Sequence, residues 1–596
     1  MNKKKTLALL LSMSMLFTAC GGAKTEDKSE DAKDAQVEEA TGEKTGEGTA
    51  KGHNGDVKAV VTFDGDKIEK IDFDHEETEG LGDKAIDNLS EKIVENNSVS
   101  VDNVSGATVT SAAVIDAVKS AIEASGRDVK AFETEDEKKE GETTEKETDV
   151  VVIGGGGAGF AAAVSAKEEG ADVMLLEKLA SVGGNTLISG GEYAAPANEL
   201  QEEEGIEDSK ELYAEDIEEA GGDPELIEVL ADHATEDAYW LRDDIGVEWL
   251  DSLMFFGGHS VKRSLIPAAH TGNELIKNYL NKTEELGIDV QTEADVKEIL
   301  TEDGKVCGVK VDTADGEMIV KAKSVVIASG GFGSNDEMTY ENDNEIDEHV
   351  LSTNSPGATG DGILMAQELG ADTVDMDKIQ LYPICDVETG KLLYSGDTRL
   401  VGGALLVNKE GERFVEELDT RRAISMAIKD QTDHVGYLLW DETSNETTGT
   451  MASNPQEAES LYERGLMVKA DTIEELAEHF EIDKDALLET VNKFNENSVK
   501  EEDPDFNLRM LGWQVKDAPF YMMKAGPAVH HTMGGLKIDP EAQVINTDGE
   551  WIDGLYAAGE VTGGIHGSNR LGSVAMADIT VFGRIAGQNA AENSKK

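Results

Sequence analysis

The chain has 596 residues, enough for several hydrophobic cores at ~100–200 residues per domain. Its 123 acidic and 53 basic side chains give a formal net charge of −70, a surface that repels nucleic acid and anionic lipid. A small anionic substrate would need a local basic pocket against that background.

The N-terminus reads as a processing segment. Lys3, Lys4 and Lys5 are basic, and residues 6 to 17 are mostly apolar but shorter than the ~20 residues that span a bilayer. Leu16-Phe17-Thr18-Ala19-Cys20-Gly21 follows and resembles a bacterial lipobox. The resemblance implies cleavage before Cys20, lipidation there, and attachment to the extracytoplasmic face of the membrane by that lipid alone. Residues 20–50 hold almost no large apolar side chain and are expected to be an unfolded tether. Beyond Cys20 only Cys307 and Cys385 remain; a secreted protein could pair them, while isolated cysteines in apolar contexts are more often buried free thiols. No C-x-x-C occurs, so no metal site is signalled.

Val57–Phe63 alternates as a strand does, Gly65-Asp66 makes a turn, and Ile68–Phe73 supplies the returning strand. Ser111–Ala124 has apolar residues at helical spacing. Just before it lies Asp102-Asn103-Val104-Ser105-Gly106-Ala107-Thr108, where Gly106 and Ala107 leave room for a phosphate and a modifying enzyme. This stretch resembles the flavinylation motif of the FMN-binding domain family. The resemblance implies an FMN joined covalently through its phosphate to the Thr108 hydroxyl by a flavin transferase. Residues 51–126 are read as that small α+β domain, and the charged residues 127–147 as a linker.

From residue 148 the pattern changes to α/β. Asp149–Ile153 is a β-branched run, and Gly154, Gly156 and Gly159 follow as G-x-G-x-x-G with Ala158 inside it. Ala161–Glu169 is helix-periodic, Asp172–Leu176 is the next strand, and Glu177 closes it where an acid would hold a ribose hydroxyl. The motif cradles a dinucleotide and leaves NAD and FAD both open. Further on come Gly183-Gly184-Asn185-Thr186, Ser189-Gly190-Gly191, Ala328-Ser329-Gly330-Gly331-Phe332 and Gly554-Leu555-Tyr556-Ala557-Ala558-Gly559-Glu560-Val561. They resemble the flavin-side loops of the fumarate reductase/succinate dehydrogenase flavoprotein family, over about residues 148 to 594. The resemblance implies a non-covalent FAD. Its contacts would be Gly154, Gly156, Ala158, Gly159, Glu177, Lys178, Gly184, Asn185, Thr186, Gly190, Gly191, Gly331, Asp361, Glu560, Asn569 and Leu571. The fold class expected is α/β, α+β overall: a Rossmann-like FAD domain in two parts, 148–376 and 530–596, with an inserted capping domain over 377–529.

His530-His531-Thr532-Met533-Gly534-Gly535 and His566-Gly567-Ser568-Asn569-Arg570-Leu571-Gly572 resemble blocks that clamp a substrate carboxylate in soluble fumarate reductases. The matching residues are His530 and Arg570, and a guanidinium suits a carboxylate because it is planar, charged and bidentate. Arg413–Arg422 resembles the block that holds the proton donor, at Arg421. A free arginine is a poor acid, so the resemblance implies a relay through a nearby carboxylate.

Around the second carboxylate of fumarate, that family places a histidine before a proline and then a Thr-Glu pair. Here those positions read Tyr382-Pro383 and Gly396-Asp397, and the arginine that follows is replaced by Leu400, with Arg399 one place earlier. The clamp for a second carboxylate looks dismantled. Tyr382 and Asp397 instead resemble the urocanate reductases of the same family, where the acid would accept an imidazole N–H. The whole implies electrons passing from an external or membrane donor to FMN, then to FAD, and on as hydride to the β-carbon of an α,β-unsaturated carboxylate, with urocanate the first candidate. Fumarate or a cinnamate-like enoate is the alternative substrate, and a non-catalytic electron-carrying lipoprotein is the alternative of another class.

Overall fold

The computed structural model describes residues 45–52, 55–75, 77, 82–101, 108–133, 143–509 and 512–596. Cys20 and the Asp102–Ala107 loop lie outside the described residues. Three antiparallel strands, Thr45–Lys51, Asp56–Asp64 and Lys67–Asp74, make the first sheet. The last two are the hairpin that alternation called for, with Val57, Ala59, Val61 and Phe63 buried on one face. The first strand stands where tether was expected. Its inward positions are Gly46 and Gly48, so it carries no apolar signal. A Cβ on Gly46 would stand 1.9 Å from the Ala121 carbonyl oxygen, on the helix Thr108–Ala124. The helix therefore lies directly on the strand backbone, and only glycine permits that approach. The expected linker is also shorter than 127–147. Phe132 is buried in this small core, and Thr144–Glu147 pairs in parallel with Gly316–Lys321.

The central sheet runs in the order Asp289–Gln291, Val173–Leu176, Val150–Ile153, Ser324–Ile327, Trp551–Ala557 and Gln543–Ile545. All pairs are parallel except the last. Val150–Ile153, Val173–Leu176 and Ser324–Ile327 are buried throughout, as β-branched strands covered on both faces must be. The helices Gly157–Glu168 and Val574–Ser594 pack together over this sheet.

The cap is organised by one long strand, Phe520–Thr532. It pairs with Gly436–Asp441, Met467–Ala470 and Ile379–Cys385, and also with Leu351–Ser352 of the FAD domain. The boundary expected between 529 and 530 thus falls inside a strand, and His530 sits where that strand passes from cap to flavin domain. Cys385 is a buried free thiol; Cys307, expected to be buried, is half-buried because it lies on the outer sheet Lys305–Thr313. Among the described residues no helix is long and apolar enough to cross a membrane.

Candidate active site

A cavity of about 1890 Å³ runs from the glycine turn of the central sheet into the cap. At the turn, Gly154 has φ +107°, and a Cβ there would lie 2.4 Å from the Ala328 carbonyl oxygen. Gly156 is different: a Cβ there would meet nothing closer than 4.0 Å. The helix start beside it is thus open to the cavity, where its unpaired N–H groups suit a pyrophosphate. Glu177 ends the adjoining strand and accepts from the Gly155 and Leu179 N–H groups, both at 2.8 Å. Lys178 pairs with Asp361 and donates to Thr359 Oγ1 at 2.5 Å. Thr186 Oγ1 accepts from Gly157 N at 3.1 Å, and Asn185 donates to Glu560 Oε2 at 3.0 Å. Gly184, Gly190 and Gly191 line the same wall. Open backbone donors at a helix start, a carboxylate at the strand end and small residues along the wall fit FAD.

Gly159, Gly331, Asn569 and Leu571 were expected on this wall and are not on it. The two glycines serve close packing: a Cβ would stand 1.9 Å from Gly154 O at Gly159, and 2.0 Å from Thr532 Oγ1 at Gly331. Asn569 is exposed and accepts from Gln380 Nε2 at 3.1 Å, while Leu571 is buried against Gly258.

On the cap side, Arg421 and Arg570 converge. Arg421 is the first residue of the helix Arg421–Lys429, and Arg570 comes from the loop before the last helix. Both donate to one oxygen, Gln380 Oε1, at 2.9 Å each. Gln380 is itself aimed by its amide nitrogen, which donates to Asn569 Oδ1 and to the Arg570 carbonyl. Among the described residues neither guanidinium is in an ion pair. Burial, and then the partner guanidinium, pushes Arg570 below its usual pKa; burial does the same to Arg421. His530 stands beside them with Nδ1 3.0 Å from Thr353 Oγ1. Burial, then Arg570 and Arg421, hold its pKa well below the usual histidine range, so the ring is neutral at pH 7.

An acidic cluster adjoins them in the same cavity. Tyr382 OH donates to Asp397 Oδ1 at 2.9 Å, and the Arg421 guanidinium lies 4.9 Å from the Tyr382 ring centroid. Glu192, Tyr394 and Glu457 line the cavity here as well. Burial raises the carboxyl pKa of Asp397, Glu192 and Glu457 alike, and Asp397 raises the other two further. Leu400 is 42% exposed, whereas Arg399 is buried and donates to the Glu417 carbonyl at 2.7 Å. The arginine that had slipped by one place therefore still turns inward, and its charge acts on both Asp397 and Arg421. Arg422 points away, to Asp343 and Glu345 at 2.7 Å each.

The structure thus brings Tyr382, Asp397, Arg421, His530 and Arg570 to one cavity. It adds Glu192 to that lining, and Gln380 as the acceptor that both guanidiniums share; sequence reasoning missed both. Glu192 could have been noticed as an acid directly after Gly190-Gly191 in a loop that lines the cavity. Gln380 carried no signal, since an uncharged amide in an apolar strand reads as incidental.

Two family models match the chain: an FAD binding domain over residues 149–576 and an FMN-binding domain over residues 52–123. Urocanate reductase of Eggerthella lenta is 44% identical over 556 residues, covering 91% of each chain. NADH:acrylate oxidoreductase of Vibrio harveyi is 34% identical over 91% of this chain, which spans 60% of that protein. Among solved structures, the open form of a flavocytochrome c3 fumarate reductase superposes with a TM-score of 0.69 at 36% identity, covering 76% of this chain and 79% of the other.

Proposed function

Because the chain belongs to the FAD binding domain family, as a flavin-dependent oxidoreductase acting on the C=C bond of an unsaturated carboxylate, we propose that its substrate is urocanate. The product is imidazole propionate: one hydride and one proton add across the double bond. The observation that carries this reading is the opposite sign of two clusters in the cavity. Arg421 and Arg570 meet at one neutral amide oxygen, and the carboxyls of Asp397 and Glu192 line the same cavity within electrostatic reach of Arg421 and Arg570.

FAD, when bound, supplies the hydride. The chain does the rest. Arg570 and neutral His530 hold the carboxylate, with the His530 ring oriented by Thr353 Oγ1, 3.0 Å from Nδ1. As charge builds on the carboxylate oxygens they stabilise it, in a desolvated setting where such donors act strongly. Arg421 gives its proton to the α-carbon, and its depressed pKa makes it a better acid than a free guanidinium. Asp397 and Glu192 receive the imidazole, and Asp397 with Arg399 lies on the side from which Arg421 regains its proton. The inward Arg399 is the one feature that favours a dicarboxylate such as fumarate instead.

The N-terminal module belongs to the same reading. Thr108, at the start of the helix Thr108–Ala124, would hold an FMN that would supply electron transfer between a membrane or extracellular donor and the FAD site, and Cys20 would carry the lipid that holds the protein at the membrane. A substrate screen against reduced enzyme, following flavin reoxidation, tests the chemistry. Thr108→Ala tests the electron path: covalent flavin is lost while turnover with a small artificial donor survives. A Thr108→Ala protein that keeps covalent FMN ends that assignment.

A further inference from the structure

The helix Arg421–Lys429 carries the proton donor on its first residue, yet it belongs to two domains. Ile424 and Ile428 are buried in the cap, whereas Met426 packs on the core of the FAD domain. Arg422, four residues before Met426, and Lys429, three after it, share its face. Arg422 Nη1 meets Asp343 Oδ2 and Nη2 meets Glu345 Oε2, each at 2.7 Å. About two turns further on, Lys429 Nζ meets Asp347 Oδ2 at 2.7 Å and the Glu345 carbonyl at 2.6 Å. Just beyond the helix, the His434 ring stacks on His349 with centroids 3.6 Å apart. One short loop, 343–349, receives all of these contacts. Asp343 is largely buried, with its side chain 9% exposed, so this is more than a surface pair.

That loop leads straight into the substrate site. It runs into Leu351–Ser352, which pairs with Ala528 and Val529, and then into Thr353, which meets His530. Asn354 follows and bonds Asn185 on the flavin wall at 2.7 Å. Arg421 starts a cap helix, His530 stands where the strand Phe520–Thr532 leaves the cap for the flavin domain, and the contacts of Arg422 and Lys429 tie the one to the loop that aims the other. We propose that Arg422, supported by Lys429, is a positioning residue for the protonation step: its pairs with Asp343 and Glu345 hold Arg421 in register with the carboxylate held by His530 and Arg570. This rests on the reading of Arg421 as proton donor.

The test is steady-state and isotope kinetics on the holoenzyme. Arg422→Met should lower kcat by about ten- to hundredfold, the scale expected of a small misplacement of reacting groups. KM should move by less than about twofold, since the carboxylate contacts remain. The solvent deuterium isotope effect on kcat should rise, and FAD content should stay at the wild-type value; Asp343→Asn in the same background should restore the melting temperature lost to the unpaired carboxylate without restoring kcat. Asp343→Asn with Glu345→Gln should reproduce the loss, and combining all three changes should cost no more than Arg422→Met alone. Wild-type kcat and isotope effect in Arg422→Met overturn the proposal. So do an additive triple variant and a loss that follows FAD content or melting temperature. Arg421→Ala in the same assay separates the two readings. If it turns over normally, the donor assignment fails; if it is inactive while Arg422→Met is normal, only the positioning role fails.

Discussion

Two neighbouring clusters in the substrate cavity are built from opposite charges. In the cluster of Arg421, His530 and Arg570, two guanidiniums share a neutral amide oxygen, that of Gln380. In the cluster of Glu192, Tyr382 and Asp397, acids prevail and the cation, Arg399, is turned onto a backbone carbonyl. Each cluster is costly alone, because burial penalises whichever charge it holds. A ligand carrying a carboxylate at one terminus and an N–H donor at the other relieves both. A dicarboxylate relieves one and worsens the other, by about 4 kcal/mol for like charges near ~4 Å at intermediate dielectric.

The comparison breaks most visibly in the cationic cluster. Arg421→Ala should cost about 10³-fold or more in turnover while FAD stays bound, the range of a lost general acid plus a lost charge. Visible absorbance of the purified variant checks the cofactor. Arg570→Ala should lower kcat/KM by about 10²-fold, through KM and kcat together, since the carboxylate is held in ground and transition states alike. Normal kinetics in both variants would mean that the carboxylate binds elsewhere.

Smaller effects are expected in the acidic cluster, where they sharpen the contrast. Asp397→Asn and Glu192→Gln should each lower kcat/KM for urocanate by about tenfold and raise that for fumarate, because each removes one like charge from the second carboxylate. Tyr382→His with Asp397→Glu should move preference further toward fumarate. The smallest effect is one of pH. Burial raises the pKa of Asp397 and Glu192, so their negative charge is lost earlier than usual as pH falls. Discrimination against fumarate should therefore narrow on acidification from neutral pH, and it should narrow less in Asp397→Asn. An equal pH profile in both proteins would remove Asp397 from the account.

What the sequence made legible follows from where its signals lie. The dinucleotide turn, the hairpin Val57–Phe73 and the blocks bearing Arg421, His530 and Arg570 are each contiguous, and each carries its reason in adjacent residues. The strand Thr45–Lys51 was hidden because its core-facing residues are glycines, which bury backbone rather than side chain. Asn569 was misread for a related reason: its partner Gln380 lies 189 positions away, and nothing local announces that bond. The opposite sign of the two clusters was only half visible, since Glu192 joins Asp397 through the fold and Arg399 enters by a rotation that a register count does not follow.

Rapid mixing of the fully reduced enzyme with urocanate or fumarate, at equal concentration and neutral pH, tests the cavity's polarity most directly through the rate of flavin reoxidation. The account predicts that urocanate reoxidises the flavin far faster, by about 10²-fold or more given like-charge repulsion of several kcal/mol. Equal rates, or faster reoxidation by fumarate, would contradict it.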